Sequence, residues 1–189
     1  MIGKIFITSS GYDPQLGKYI KDPYLGPNPS LGACRPDIRE RIKIGDQLFV
    51  ISGKLPNVSQ FVMGGFEVAA KIDAREAFLS FPEQRLHLRE DGQLGGNIIV
   101  DADGAQHPLD NHNSFPRRIS QYVVGTNGIS IETPEEIALA REQTLDMLRE
   151  VLGKKGGSAW QVVGRWGSDL TDAQVLRLRE WLLSLKKHM

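Results

Sequence analysis

The chain changes character near residue 130, and that change limits what it can fold into. Before it, glycine and proline are dense and apolar runs are short, the mark of strands punctuated by turns. After it, apolar residues recur at helical spacing behind explicit start signals. Thr133-Pro134-Glu135-Glu136 is a capping box with proline at the first helical position. Ile137, Ala140, Leu145, Leu148, Val151 and Leu152 follow, and Gly153 stops the run. Thr171-Asp172-Ala173-Gln174 repeats the cap, with Val175, Leu178, Leu182 and Leu185 on one face behind it. A glycine-rich stretch at 154–157 and a short strand-like run at 160–163 separate the two helices.

The first part predicts strands at 4–9, 47–52, 59–72, 97–100 and 120–124, with one early helix from Pro36 through Ile38 and Ile42. Gly64-Gly65 inside the longest run predicts a β-bulge or sharp bend, and Asp103-Gly104 a tight hairpin turn. Short, bent strands commonly avoid free edges by closing. The expectation is therefore an α+β chain: a small closed or partly closed β-barrel over 1–130 and a C-terminal helical extension over 131–189.

Lys+Arg and Asp+Glu both number 23, so no global charge forces a nucleic acid or an anionic membrane as partner. Tight sequence-independent duplex binding is disfavoured, while a local patch or a pocket stays open. A single cysteine, Cys34, excludes an internal disulfide and a Cys-rich zinc site. No run approaches the roughly 20 apolar residues of a membrane span, and the N-terminus lacks a signal-peptide apolar region. The expected location is the cytoplasm, or the nucleus in a eukaryote, with no membrane partner.

Residues 23–39 hold the densest constellation. Prolines at 23, 27, 29 and 36 stiffen a loop that enters a helix at Pro36. A helix start offers N–H groups and the positive dipole end to an anion, and Arg35 and Arg39 add guanidinium forks suited to phosphate or base edges. A connector with solvated arginines is the competing reading. Cys34 at the helix start beside Arg35 predicts a lowered thiol pKa and a candidate nucleophile. The polar cluster Asp110-Asn111-His112-Asn113 would have to supply its base; a small buried thiol is the blander and better reading. Asp101, Asp103, His107, Asp110 and His112 fit the spacing of neither a Ca²⁺ loop nor a zincin helix. No metal and no cofactor is expected.

The run from Pro27-Asn28-Pro29 through Ala33-Cys34, Pro36 and Ile38-Arg39 to Gly45-Asp46 resembles the second type of nucleotide modification associated domain, a family of phage and bacterial loci that modify DNA bases. Asn97-Ile98 with the polar hairpin after it, and the closing strand near Tyr122, are also similar to that family, so the resemblance spans residues 1–126. More broadly, a helix leading into a Gly-Asp turn, an apolar strand and a returning Gly65-Phe66-Glu67-Val68 resembles PUA-like barrels of the EVE and ASCH kind. The resemblance implies a PUA-like β-barrel that holds a base, often a modified one, in a cleft beside its first helix.

A held base needs an aromatic face to stack on and polar groups to read its Watson–Crick edge. Tyr24 and Phe66 are the candidates to stack, with Tyr12 and Tyr122 behind them. Asn28, Ser52 and Lys54 are the candidates to read edges, with Ser9 and Ser10 as further donors. Arg35, Arg39, Arg117 and Arg118 are the candidates for phosphate. The expected function is non-catalytic recognition of a modified base, in DNA or a nucleotide, within a base-modification or defence system. The alternatives are a small nucleotide-modifying enzyme built on Cys34 or the His112 cluster, and an adaptor that docks a protein partner through 131–189. In that tail, Trp166 is flanked by Gly164-Arg165 and Gly167 and is a candidate contact residue.

Overall fold

The structure is a computed structural model that describes residues 2–187. It is α+β, with a mixed six-stranded sheet and a separate two-stranded ribbon. In chain order the elements are β1 (Gly3–Gly11), β2 (Ser30–Leu31), α1 (Pro36–Arg41), β3 (Gln47–Gly53), β4 (Val62–Ile72), α2 (Ala74–Ser80), β5 (His87–Leu88), β6 (Leu94–Gly95), α3 (Phe115–Ile119), β7 (Tyr122–Ser130), α4 (Pro134–Leu152), α5 (Ala159–Val163), β8 (Ser168–Leu170) and α6 (Asp172–Lys187). The strand order is β2-β7-β4-β3-β1-β8. It has two ends, so no closed barrel is present among the described residues. Two compact units divide the chain: Met1–Tyr19 with Gly45–Glu67 and Asn127–Met189, and Ile20–Ile44 with Val68–Thr126. β4 and β7 each contribute residues to both.

In the first unit β3 runs parallel to β1, from Gly3 opposite Gln47 to Ile7 opposite Ile51, and antiparallel to β4. All seven residues of β3 are buried. A strand paired on both edges and covered on both faces reads as a continuous apolar run rather than an alternation, which is why Leu48 to Ile51 are uniformly apolar. The expected bulge is present. Val50 pairs with Gly64 and Ile51 with Val62, leaving Met63 unpaired. Gly64 has φ 151°, and a Cβ there would run into the carbonyl oxygen of Ile129. Beside the bulge, the Val62 N–H donates to the buried Thr144 hydroxyl of α4 at 3.1 Å.

The C-terminal helices are part of this unit and do not form a free-standing extension. β8 pairs antiparallel with β1, Gly3 opposite Leu170. Val175 of α6 lies against Gly3, whose missing side chain makes room for it. The Thr133 hydroxyl accepts the Glu136 N–H at 3.2 Å and the Glu136 carboxylate accepts the Thr133 N–H at 3.3 Å, completing the predicted box. The Lys186 ammonium of α6 reaches the same carboxylate at 3.1 Å. Residues 160–163, expected as a strand, form α5 instead, because the Ser158 hydroxyl caps the Gln161 N–H at 3.3 Å. The strand of this region is β8, which no alternation announces.

In the second unit β2 pairs antiparallel with β7, Ser30 opposite Val124. The core joins Ala74 and Ala77 of α2 to Ile98, Val100 and Tyr122. α2 had no expectation behind it, although Asp73 caps it through the N–H groups of Arg75 and Glu76 at 2.8 and 2.9 Å. Residues 97–100 form isolated bridges, Ile98 to Arg85 and Val100 to Gln106, rather than a strand. The Asp103-Gly104 turn forms as predicted, with Gly104 at φ 80° and the Asp101 carboxylate accepting two N–H groups at 2.9 Å.

Gly64→Ala combines a positive φ with a backbone collision, and is expected to cost at least about 2 kcal/mol. Urea denaturation measures it, and an unchanged midpoint would show that the bulge can relax without Gly64.

Candidate functional site

The segment Gly32-Ala33-Cys34 organises the second unit. The Asp22 side chain is buried, and its carboxylate accepts the N–H groups of Gly32, Ala33 and Cys34 at 2.8, 2.9 and 2.5 Å. It also accepts the Asn97 amide at 3.1 Å. On the carbonyl side, Arg39 donates to Cys34 at 2.9 Å, to Ala33 at 3.0 Å, and to the carbonyl of Gln121. Arg39 is 0% exposed, and burial pulls its pKa below the ordinary guanidinium value. Its predicted phosphate role is therefore wrong: every face of the fork is enclosed by protein carbonyls.

The other predicted phosphate ligands are also engaged. Arg35 forks onto Asp37 at 2.9 and 2.7 Å, and Arg117 forks onto Glu40 at 2.7 and 2.8 Å. The hydrogen bond from Arg117 holds the Glu40 carboxyl below its usual range. Arg118 donates to the carbonyls of Asn113 and Ala33, both at 2.8 Å. α1 has six residues and begins without a side-chain cap.

Of the two sequence readings of Cys34, the structure supports the small buried thiol over the nucleophile. Burial, with the Asp22 carboxylate beside it, pushes the thiol pKa up to about 12. The nearby cations Arg118 and Lys21 oppose that rise without overcoming it. The thiol is thus kept protonated, which removes the basis for a nucleophile. His112 is held by Asp110, its Nδ1 at 2.5 Å from the carboxylate, and Gln106 donates to the same carboxylate at 2.7 Å. Among the described residues no group of three or more His, Cys, Asp or Glu is placed to hold a metal, and no helix is long and apolar enough to cross a membrane.

Next to the Asp22 cluster lies a buried polar network. The Ser30 hydroxyl donates to Gln84 at 2.5 Å, and the Asn97 amide donates to the Ser30 hydroxyl at 2.8 Å. The Tyr122 hydroxyl lies 2.6 Å from the Gln84 carbonyl and 2.7 Å from that of Asn97. Tyr122 is therefore a core residue and not a stacking platform, and burial drives its pKa up. Gln84 and Asn97 also form the floor of a cleft of about 290 Å³, walled by Tyr24, Lys21, Glu83, His87 and Arg89.

This cleft is the candidate site. Tyr24 is half-buried and exchanges two backbone hydrogen bonds with Ser30, both 2.9 Å. Its ring lies over Gly26, where any side chain would strike the ring and hydroxyl. His87 sits over Gly95, and its Nδ1 is 2.8 Å from the Arg85 carbonyl. A carbonyl can only accept, so Nδ1 is the donor in that bond. Arg89 pairs with Asp91 at 3.0 Å. Asn28 contributes its carbonyl to Gln84 at 2.8 Å, and the residue is exposed. Sequence reasoning found Tyr24 and missed Lys21, Glu83, His87 and Arg89, while Asn28 is not among the residues that line the cleft. No spacing marks those four; a 3-10 turn at Pro82–Gln84 and the β5–β6 ribbon bring the last three together.

The remaining predicted residues belong to the first unit. Phe66 is 0% exposed and cannot stack. Ser52 is buried, with its hydroxyl accepting the Phe61 N–H at 3.0 Å, so it reads no ligand. Lys54, Ser9 and Ser10 are exposed. Tyr12 packs on Phe61 and Tyr19, with ring centroids 6.0 and 6.3 Å away.

Two outcomes follow. Arg39→Ala leaves buried carbonyls without donors and is expected to cost about 3 kcal/mol or more, with Arg39→Lys failing to restore it because one ammonium cannot span the three acceptors. Denaturant titration decides this, and a fully stable Arg39→Ala would put the guanidinium outside the fold. At pH 8, native Cys34 is expected to react with a disulfide reagent at least about a hundredfold more slowly than the unfolded thiol; comparable rates would mean that the thiol is neither buried nor raised. No protein-family model matches this chain, and the searches for similar curated proteins and solved structures found none.

Proposed function

We propose that the cleft of the second unit takes a nucleobase, and that the protein is a recognition module for a modified base in DNA or a nucleotide. The observation that carries this reading is Tyr24, seated on Gly26 at the wall of a 290 Å³ cleft that also presents Lys21, Glu83 and His87. A base offers a π-face and a polar edge, and its recognition needs an aromatic surface and side chains of both hydrogen-bonding senses. Tyr24 supplies the surface. Lys21 supplies a point charge for phosphate, the Glu83 carboxylate accepts an exocyclic amine, and the His87 ring meets the remaining edge. The volume is near the lower end of small-molecule sites, about 300 Å³, which suits one ring system rather than a dinucleotide.

The resemblance of residues 27–46 to proteins of base-modification loci favours a modified base over an ordinary one. The same reading assigns the fold to the PUA-like class, in an open-edged form. α1 is followed by the Gly45-Asp46 turn, β3 and an antiparallel β4, the order that the broader PUA-like resemblance implies. An enzyme centred on Cys34 has less support, because its thiol is held protonated.

Fluorescence anisotropy of the whole protein against labelled oligonucleotides and nucleotides, with and without modified cytosine, adenine and thymine, tests the reading. The expected result is a preference of about tenfold or more for one modified base, about 1.4 kcal/mol, lost in Tyr24→Ala because a stacked base is worth about 1–3 kcal/mol. Absence of binding to every probe, or an undiminished preference in Tyr24→Ala, would sink it.

A further inference from the structure

We propose that α5 and the two loops flanking it, 153–157 and 164–167, form a second binding surface whose ligand is single-stranded nucleic acid. Residues 151–168 contain Lys154, Lys155 and Arg165 and no Asp or Glu. Three of the bordering acids are ion-paired: Asp146 with Arg149 at 2.8 Å, Glu150 with Arg177 at 2.8 Å and Asp169 with Lys4 at 2.9 Å. Among the described residues, no carboxylate pairs with Lys154, Lys155 or Arg165. A protein with no net charge thus carries a local surplus of three cations.

Aromatic groups accompany this charge. Trp160 and Trp166 are 52% and 65% exposed, whereas Trp181 of α6 is 4% exposed. Tryptophan is a highly buried residue on average, so two exposed indoles within seven residues need a reason. The Arg165 guanidinium lies 5.1 Å from the Trp166 ring centroid, a cation–π pair that joins charge and stacking face. Gly164, at φ 82° and ψ 167°, adopts a conformation essentially restricted to glycine and turns the chain out of α5 into that pair. The lysine loop adjoins it: Lys154 Nζ donates to the Ser168 hydroxyl at 3.1 Å, and the Gly157 N–H donates to the Gln161 side chain at 2.6 Å. A recess of about 790 Å³ runs along Arg149, Glu150, Lys154, Lys155 and the loop glycines, with the Glu150 carboxylate held by Arg177.

Cations interleaved with exposed indoles match a strand whose phosphates are accompanied by accessible base faces. A duplex hides those faces, so the indoles would contribute nothing to it. An interfacial membrane site needs an apolar helix face, and α5 offers five residues of which Ala159, Val162 and Val163 are buried. The surface does not depend on what the Tyr24 cleft holds.

The test uses the whole protein and fluorescein-labelled oligothymidylate and oligouridylate of about 20 nucleotides, a matched duplex, and phosphatidylserine-containing vesicles, titrated between about 50 and 300 mM salt. Both single strands are expected to bind at least about fivefold more tightly than the duplex, with no vesicle binding. The Trp160→Ala/Trp166→Ala variant should lose about tenfold or more in affinity at an unchanged urea midpoint. Lys154→Ala/Lys155→Ala should flatten the salt slope by about 1.4, at about 0.7 per phosphate contact. The proposal is overturned by absence of single-strand binding, by equal binding to duplex or vesicles, or by undiminished binding in both variants. Tyr24→Ala separates the two readings: it should leave oligothymidylate affinity intact while removing any modified-base preference. If Tyr24→Ala abolishes oligothymidylate binding and the tail variants do not, the cleft stands and this surface falls.

Discussion

Three consecutive residues, Gly32-Ala33-Cys34, have their backbone N–H groups on one buried carboxylate, and the carbonyls of the last two on one buried guanidinium. Most of the second unit's order depends on that arrangement. A buried backbone polar group left without a partner costs as much as a lost hydrogen bond. Asp22 and Arg39 remove that cost for a segment that is neither helix nor sheet ladder. Each ion is in turn solvated by peptide dipoles rather than by a single counter-ion, which is how a charge can be buried without the full desolvation penalty. Gly32 admits the arrangement because a Cβ would sit 2.5 Å from the Asn97 carbonyl and 2.8 Å from the Tyr122 ring.

The Asp22 carboxylate also fixes the cleft floor. It orients Asn97, which hydrogen-bonds Ser30, which in turn reaches Gln84 and Tyr122. The amides of Asn97 and Gln84 are consumed by this network, so the floor is rigid and has little left to offer a ligand. In the proposed reading, recognition would fall to the walls, where Lys21, Glu83 and His87 line the cleft. A stiff floor beneath polar walls is preorganised, and preorganisation reduces the ordering cost of binding.

Elements with a local cause were legible in the sequence. The capping box at Thr133, the stop at Gly153, the bulge at Gly64 and the Asp103-Gly104 turn each rest on a few adjacent residues, and each formed. Elements decided by distant partners were not. β8 exists because β1 offers an edge to 168–170, and α5 displaces the expected strand because one serine caps it. The candidate site followed the same rule. Tyr24, between Pro23 and the Leu25-Gly26 step, carried its signal locally. Arg39 did not, because an arginine bound by three carbonyls and one bound to phosphate have the same neighbours in sequence. The nucleophile alternative at Cys34 falls for a related reason: the adjacent Arg35 turns to Asp37, and burial, with Asp22 twelve residues away, raises the thiol.

The division of labour between the two kinds of cation follows from their chemistry. Among the described residues every arginine except Arg41 has an intramolecular partner, from the forks of Arg35 and Arg117 to the stacking of Arg85 on Phe78 and Arg165 on Trp166. The guanidinium's planar set of donors suits fixed internal acceptors. Lysine, a flexible point charge, is left for solvent at Lys21 in the cleft and Lys155 in the α4–α5 loop. A surface supplied this way attracts phosphate with little geometric demand, so its contribution to affinity falls with added salt. Under the two proposals, selectivity would come from the aromatic groups, Tyr24 at one place and the two exposed indoles at the other. The zero net charge thus balances 23 Asp and Glu against 23 Lys and Arg, of which the arginines are largely self-paired.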